Sequence, residues 1–82
     1  MCVNGLLLLR VDDALTVFRL NTQLFPDGWN TWDSYGEALL AAGRRDEAVE
    51  MYQRSMRLNP GNDNGRRVLD SLGVAAEGTA GP

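Results

Sequence analysis

Residues 29–62, WNTWDSYGEALLAAGRRDEAVEMYQRSMRLNPGN, decide the fold. Trp32, Tyr35, Gly36 and Leu39 recur at i, i+3, i+4 and i+7, one face of a helix running from Trp29 to about Ala42. The breaker cluster Pro26-Asp27-Gly28 precedes it, and Asp27 or Gly28 is suited to cap it. Gly43 ends it, because glycine tolerates the left-handed conformation that closes a helix. Asp46 and Glu47 open a second helix, where negative charge suits the positive end of the helix dipole. Ala48, Tyr52 and Ser55 form its inner stripe at i, i+4 and i+7. Asn59-Pro60-Gly61 stops it, since proline cannot continue the hydrogen-bond ladder. The stretch reads as helix, turn, helix.

Part of this pattern occurs twice. Sliding residues 10–26 forward by 34 positions superposes Arg10 on Arg44, Asp12 on Asp46, Ala14 on Ala48, Leu24 on Leu58 and Pro26 on Pro60. Similar residues fill the gaps: Asp13 with Glu47, Leu15 with Val49, Val17 with Met51, Phe18 with Tyr52. A period near 34 is that of a helical-hairpin repeat. Trp32, Tyr35, Gly36, Leu39, Ala48, Tyr52, Ser55 and Pro60 together resemble the tetratricopeptide signature of alternating large and small positions. Two positions are exchanged relative to the usual pattern, which has leucine at Tyr35 and tyrosine at Leu39, and both exchanges keep a bulky group. Gly36 and Ala48 let two helices approach while aromatic rings fill the space beside them. The resemblance implies an all-α fold: antiparallel helical hairpins of a tetratricopeptide superhelix, closed by a capping helix.

The flanking copies are incomplete. Residues 1–28 hold a partial first repeat, whose second helix is expected over about 11–24, with Ala14 and Phe18 on its inner stripe and Asn21 in the place of Ser55. Residues 2–9 are what remains of its first helix, and Leu9 stands where the turn glycine would be. Downstream, Asn62 is expected to cap a helix over 63–73 with Val68, Leu69 and Leu72 apolar, resembling the solvating helix that closes such arrays. Residues 74–82, rich in Gly and Ala, are expected to be disordered. Repeat arrays generally need about three units, each burying its face on its neighbours. The chain therefore reads as a fragment of a longer array, a domain end, or a self-associating chain with Leu6, Leu7, Leu8 and Leu9 as the exposed joint.

Composition narrows the function. The sequence has no histidine and no lysine, so Ser-His, Cys-His and Ser-x-x-Lys nucleophile arrangements are excluded. Cys2 is the only cysteine, which removes an internal disulfide and a clustered Cys/His zinc site. No cofactor or metal is expected, and the paired Asp12-Asp13 reads as helix-start electrostatics. The net charge of −3 weighs against nucleic acid, and the arginine pairs Arg44-Arg45 and Arg66-Arg67 lie among acidic residues as solvated surface. Four consecutive leucines make neither a signal peptide nor a membrane span, so the default location is the cytoplasm.

What remains is a protein-binding, non-catalytic scaffold. Trp32 is expected in the inter-helix core, Trp29 half-buried at the helix start, and Met51 and Met56 in helix packing. The resemblance implies a concave groove lined by the first helices of successive repeats. Asn30, Asp33, Glu37 and Leu40 would project into it from the complete repeat, and Arg67 and Ser71 from the capping helix. Asp33 and Glu37 carry the opposite charge to the Lys and Asn clamp that some members use for a peptide carboxylate, so a basic or polar peptide or partner helix is expected. A looser likeness runs through Phe18-Arg-Leu-Asn, Phe25-Pro-Asp and Trp32-Asp-Ser-Tyr-Gly-Glu-Ala-Leu, which are similar to tetratricopeptide tails of bacterial β-lactamase-like serine hydrolases. It implies a segment that positions or dimerises a catalytic domain without catalysing anything itself.

Overall fold

The structure is a computed structural model that describes residues 2–74, with side chains described from Val11 onward. Four helices follow one another: α1 (Cys2–Leu24), α2 (Trp29–Ala41), α3 (Arg45–Leu58) and α4 (Asp63–Ser71). Each packs mainly on its neighbour in sequence, and the α2–α3 hairpin forms the largest interface. There is no strand among the described residues, and the fold is all-α.

The punctuation residues act locally, and they act twice. After α1 the Gly28 amide donates to Phe25 O at 3.0 Å, closing a turn over Pro26 and Asp27. After α3 the Asn62 amide donates to Asn59 O at 3.0 Å in the same way over Pro60 and Gly61. Trp32 Nε1 reaches back to Pro26 O at 2.8 Å, and Arg66 Nη2 reaches back to Pro60 O at 3.1 Å. These paired contacts lie one sequence period apart, so the turns that lead into α2 and α4 are built alike.

Gly43 adopts φ 80°, and around it the Gly43 and Arg44 amides donate to Leu40 O and Leu39 O at 3.0 and 2.8 Å. That is the two-bond glycine closure of a helix C-terminus, and it reverses the chain into α3. Gly36 acts instead through its missing side chain. A Cβ there would lie 2.9 Å from two ring carbons of Tyr52 and 3.4 Å from Ala48 O. Only glycine lets α2 lie this close to α3.

Two apolar clusters result. Leu15, Ala38, Leu39 and Ala48 form one, flanked by Val11, Phe18, Tyr35 and Met51. Tyr52, Met56 and Leu69 form the other, flanked by Val49, Val68 and Val74. Leu40 packs against both. Ala48, Tyr52 and Ser55 are buried as one stripe, as their spacing predicts.

Several details differ from expectation. The helix expected over about 11–24 is continuous from Cys2, because Leu9, a good helix former, stands at the position of Gly43 where a breaker would end it. Of the two residues expected to cap α2, Gly28 is the N-cap and Asp27 is not; no side chain caps the helix, and Thr31 Oγ1 donates to Gly28 O at 2.8 Å. Trp32 lies half-buried at the edge of the hairpin, where the Arg54 guanidinium sits 4.6 Å from its ring centroid, and not in the inter-helix core. The capping helix ends at Ser71, two residues early, in a glycine closure around Gly73 like that at Gly43. The expectation of a disordered tail falls almost wholly on residues 75–82, outside the described residues. The side chains of Leu6, Leu7, Leu8 and Leu9 are outside them too.

Candidate functional site

The six expected groove residues separate into two groups. Asn30, Glu37, Arg67 and Ser71 are exposed. Asp33 and Leu40 are not: Leu40 bridges the two apolar clusters, and Asp33 is 9% exposed. Asp33 is thus corrected from a partner-facing carboxylate to a structural one.

Its surroundings give the reason. Asn62 Nδ2 donates to Asp33 Oδ2 at 2.7 Å and to Ser55 Oγ at 3.0 Å. Asn64 Nδ2 donates to Asp33 Oδ1 at 3.2 Å. Asn62 Oδ1 accepts from the Gly65 amide at 3.1 Å, capping α4, and Ser55 Oγ donates to Trp29 O at 2.9 Å. Ser55, Asn62 and Asp33 are all buried, so this polar node ties α2, α3 and α4 together. A buried carboxylate is costly unless hydrogen-bonded, and the two asparagine amides supply that. No buried side-chain nitrogen or oxygen among the described residues lacks a partner. The cap at Asn62 is legible in the sequence; the bond to Asp33 is not, because it joins residues 29 positions apart with no local pattern between them.

The same node sets the geometry of the exposed strip. The Asn64–Asp33 bond ties the first turn of α4 to α2. Asn30, Asp33 and Glu37 share one face of α2, and Asn64, Arg67 and Ser71 share one face of α4 at i, i+3 and i+7. With Asp33 consumed internally, the strip presents the Glu37 carboxylate, the Arg67 guanidinium and the Asn30 amide. The Ser71 hydroxyl is partly spent, donating to Val68 O at 2.7 Å. Behind the strip, burial and then the charges of Asp33 and Glu37 push the Tyr52 hydroxyl up to about 12.

The arginine pairs are engaged locally. Arg44 pairs with Glu47, which raises its pKa by hydrogen bond and charge; Arg45 Nη2 donates to Leu72 O at 2.6 Å. Among the described residues there is no group of three or more His, Cys, Asp or Glu that could hold a metal ion. None of their helices is long and apolar enough to cross a membrane.

A second feature was not expected from the sequence. Between α1 and α2 lies an open, almost wholly apolar groove of about 320 Å³, lined by Val11, Ala14 and Phe18 on one wall and Glu37, Ala38 and Ala41 on the other. The 34-residue offset was the available signal, since it places Ala14 and Phe18 on the same stripe as the buried Ala48 and Tyr52.

Among known families, the tetratricopeptide repeat model matches residues 29–69, half of the 82-residue chain. No curated protein and no solved structure matches it.

Proposed function

The chain belongs to the tetratricopeptide repeat family, and from that premise we propose that it is a non-catalytic interaction module that binds a basic or polar peptide of a partner protein along the α2–α4 strip. The observation that carries this reading is the exposure of Asn30, Glu37 and Arg67 on two helices tied to each other through the Asp33–Asn64 bond. Glu37 offers a carboxylate to a cationic side chain, while Asn30 and Arg67 offer donors to peptide carbonyls. Ser71 lies at the far end of the strip, and Leu40, on the same helix as Glu37, packs against both apolar clusters.

This strip is rigid where it matters, because the polar node under it is fully bonded. A partner therefore meets a preformed surface, which lowers the ordering cost of binding. The reading is tested by a peptide array probed with the full chain and with Glu37→Arg. Basic peptides should bind the parent chain and lose at least tenfold in affinity with the variant, while circular dichroism stays unchanged. No binding on the array, or equal binding by both chains, contradicts it.

A further inference from the structure

Away from that strip, we propose that the polar cleft between α1, α2 and the start of α3 is a second peptide site. Its occupant is an extended segment with one basic and one acidic side chain three residues apart. The cation lies against Asp12, and the carboxylate against Arg19 and the Tyr35 hydroxyl.

The cleft has a volume of about 260 Å³ and is lined by Asp12, Leu15, Thr16, Arg19, Tyr35 and Arg44. These residues belong to α1, α2 and the N-cap of α3, so the described helices supply all of its walls. Two of its polar side chains are engaged: Arg44 pairs with Glu47, and Thr16 Oγ1 donates to Asp12 O at 3.2 Å. Three are not. The Asp12 carboxylate, the Arg19 guanidinium and the Tyr35 hydroxyl make no hydrogen bond or ion pair among the described residues. Asp12 and Arg19 do not cancel each other, because seven positions on a helix separate them by about 10 Å along its axis.

Packing does not account for these groups. The tetratricopeptide pattern has leucine at Tyr35, and the ring packs against the cluster of Leu15, Ala38, Leu39 and Ala48 as a leucine would. The hydroxyl is surplus to that contact. The chain also holds its own control 34 positions on, where Leu15, Thr16, Arg19 and Tyr35 become Val49, Glu50, Gln53 and Leu69. Val49 and Leu69 meet in the second apolar cluster as Leu15 and Tyr35 meet in the first. The apolar joint is kept there, while the guanidinium and the phenol are gone. Joining one repeat to the next therefore requires neither Arg19 nor the Tyr35 hydroxyl.

The free charges select the ligand. With Arg44 offset by Glu47, the cleft offers one unpaired positive and one unpaired negative charge, which suits a segment carrying both signs and disfavours a lone dianion. A polyproline II segment places residues i and i+3 on one face about 9 Å apart, close to the axial spacing of Asp12 and Arg19. A cleft of this size admits side-chain ends but not a whole helix, whose diameter is about 10 Å.

The test is an NMR titration of the full chain with Ac-Lys-Pro-Pro-Glu-NH2 and with the reversed order, Ac-Glu-Pro-Pro-Lys-NH2. One of the two should give saturable shifts at Asp12, Thr16, Arg19, Tyr35 and Arg44. Arg19→Gln and Tyr35→Phe should each weaken that peptide at least fivefold; the second keeps the packed ring, so the fold is retained. Asp12→Asn in the chain and glutamine for lysine in the peptide should each weaken it too, and the two losses should not add, since they remove the same pair. Glu37→Arg should leave binding unchanged, which separates this cleft from the α2–α4 strip. Absence of saturable shifts with either peptide would overturn the proposal. So would equal binding by Arg19→Gln, shifts centred on Asn30, Glu37 and Arg67, or inorganic phosphate binding as tightly as the peptide.

Discussion

The α1 and α3 helices carry nearly the same inner stripe and meet different fates. On α3, Ala48, Tyr52 and Ser55 are sealed beneath α2 and the first turn of α4. On α1, Ala14, Phe18 and Asn21 are half-buried, and Leu15 rather than the stripe itself enters the core. A repeat sequence therefore specifies a surface that wants a cover; whether it becomes core depends on what lies next to it. The α3 end is where stability resides, and the α1 end is where an apolar surface stays accessible.

The comparison is broken most directly by truncating the two corresponding aromatics. Tyr52→Ala should cost about 3–5 kcal/mol, comparable to the roughly 3–5 kcal/mol a domain of this size draws from one core, and so should unfold the chain. Phe18→Ala should cost less than about 2 kcal/mol and leave a cooperative thermal transition by circular dichroism, because its ring is already partly solvated. Equal losses would mean that the two ends are energetically alike. A smaller effect is expected at Gly36→Ala, about 1–3 kcal/mol from overpacking against Tyr52 that outweighs alanine's better helix propensity. Asp33→Ala should also cost about 1–3 kcal/mol, by leaving the Asn62 and Asn64 amides short of an acceptor. Its effect should be concentrated in α4, read as faster amide exchange at Gly65 and Arg66, with α1 unaffected.

The smallest expected effect is on the alkaline side. Tyr52 holds its proton up to about pH 12 in the folded chain and to about pH 10 when unfolded. The folded state therefore binds more protons between those values, so this contribution is complete below pH 10 and is lost as pH rises toward 12. In Tyr52→Phe that share of the alkaline decline should disappear from a denaturant titration series, whereas Phe18, carrying no hydroxyl, has no counterpart at the α1 end.

The hairpin was legible because its signals are local. Pro26, Gly43 and Pro60 set boundaries, and Trp32, Tyr35, Gly36, Leu39, Ala48, Tyr52 and Ser55 repeat at helical spacing. The continuous α1 was less legible, because an incomplete copy invites a break at Leu9 that nothing in the local residues enforces. The candidate site was legible only in part. Asn30, Glu37, Arg67 and Ser71 follow from helix phase alone, but Asp33 shares that phase and is drawn inward by Asn62 and Asn64 from another helix. Helix periodicity says which way a side chain leaves the axis; it does not say what waits there.

The central claim, that one repeat surface is sealed at α3 and open at α1, is tested most directly by native-state amide hydrogen exchange resolved by residue. Amides of α3 across Val49 to Met56 should exchange only through global unfolding, while those of α1 across Leu15 to Thr22 should open at clearly lower free energy. Equal protection in the two helices would contradict the claim.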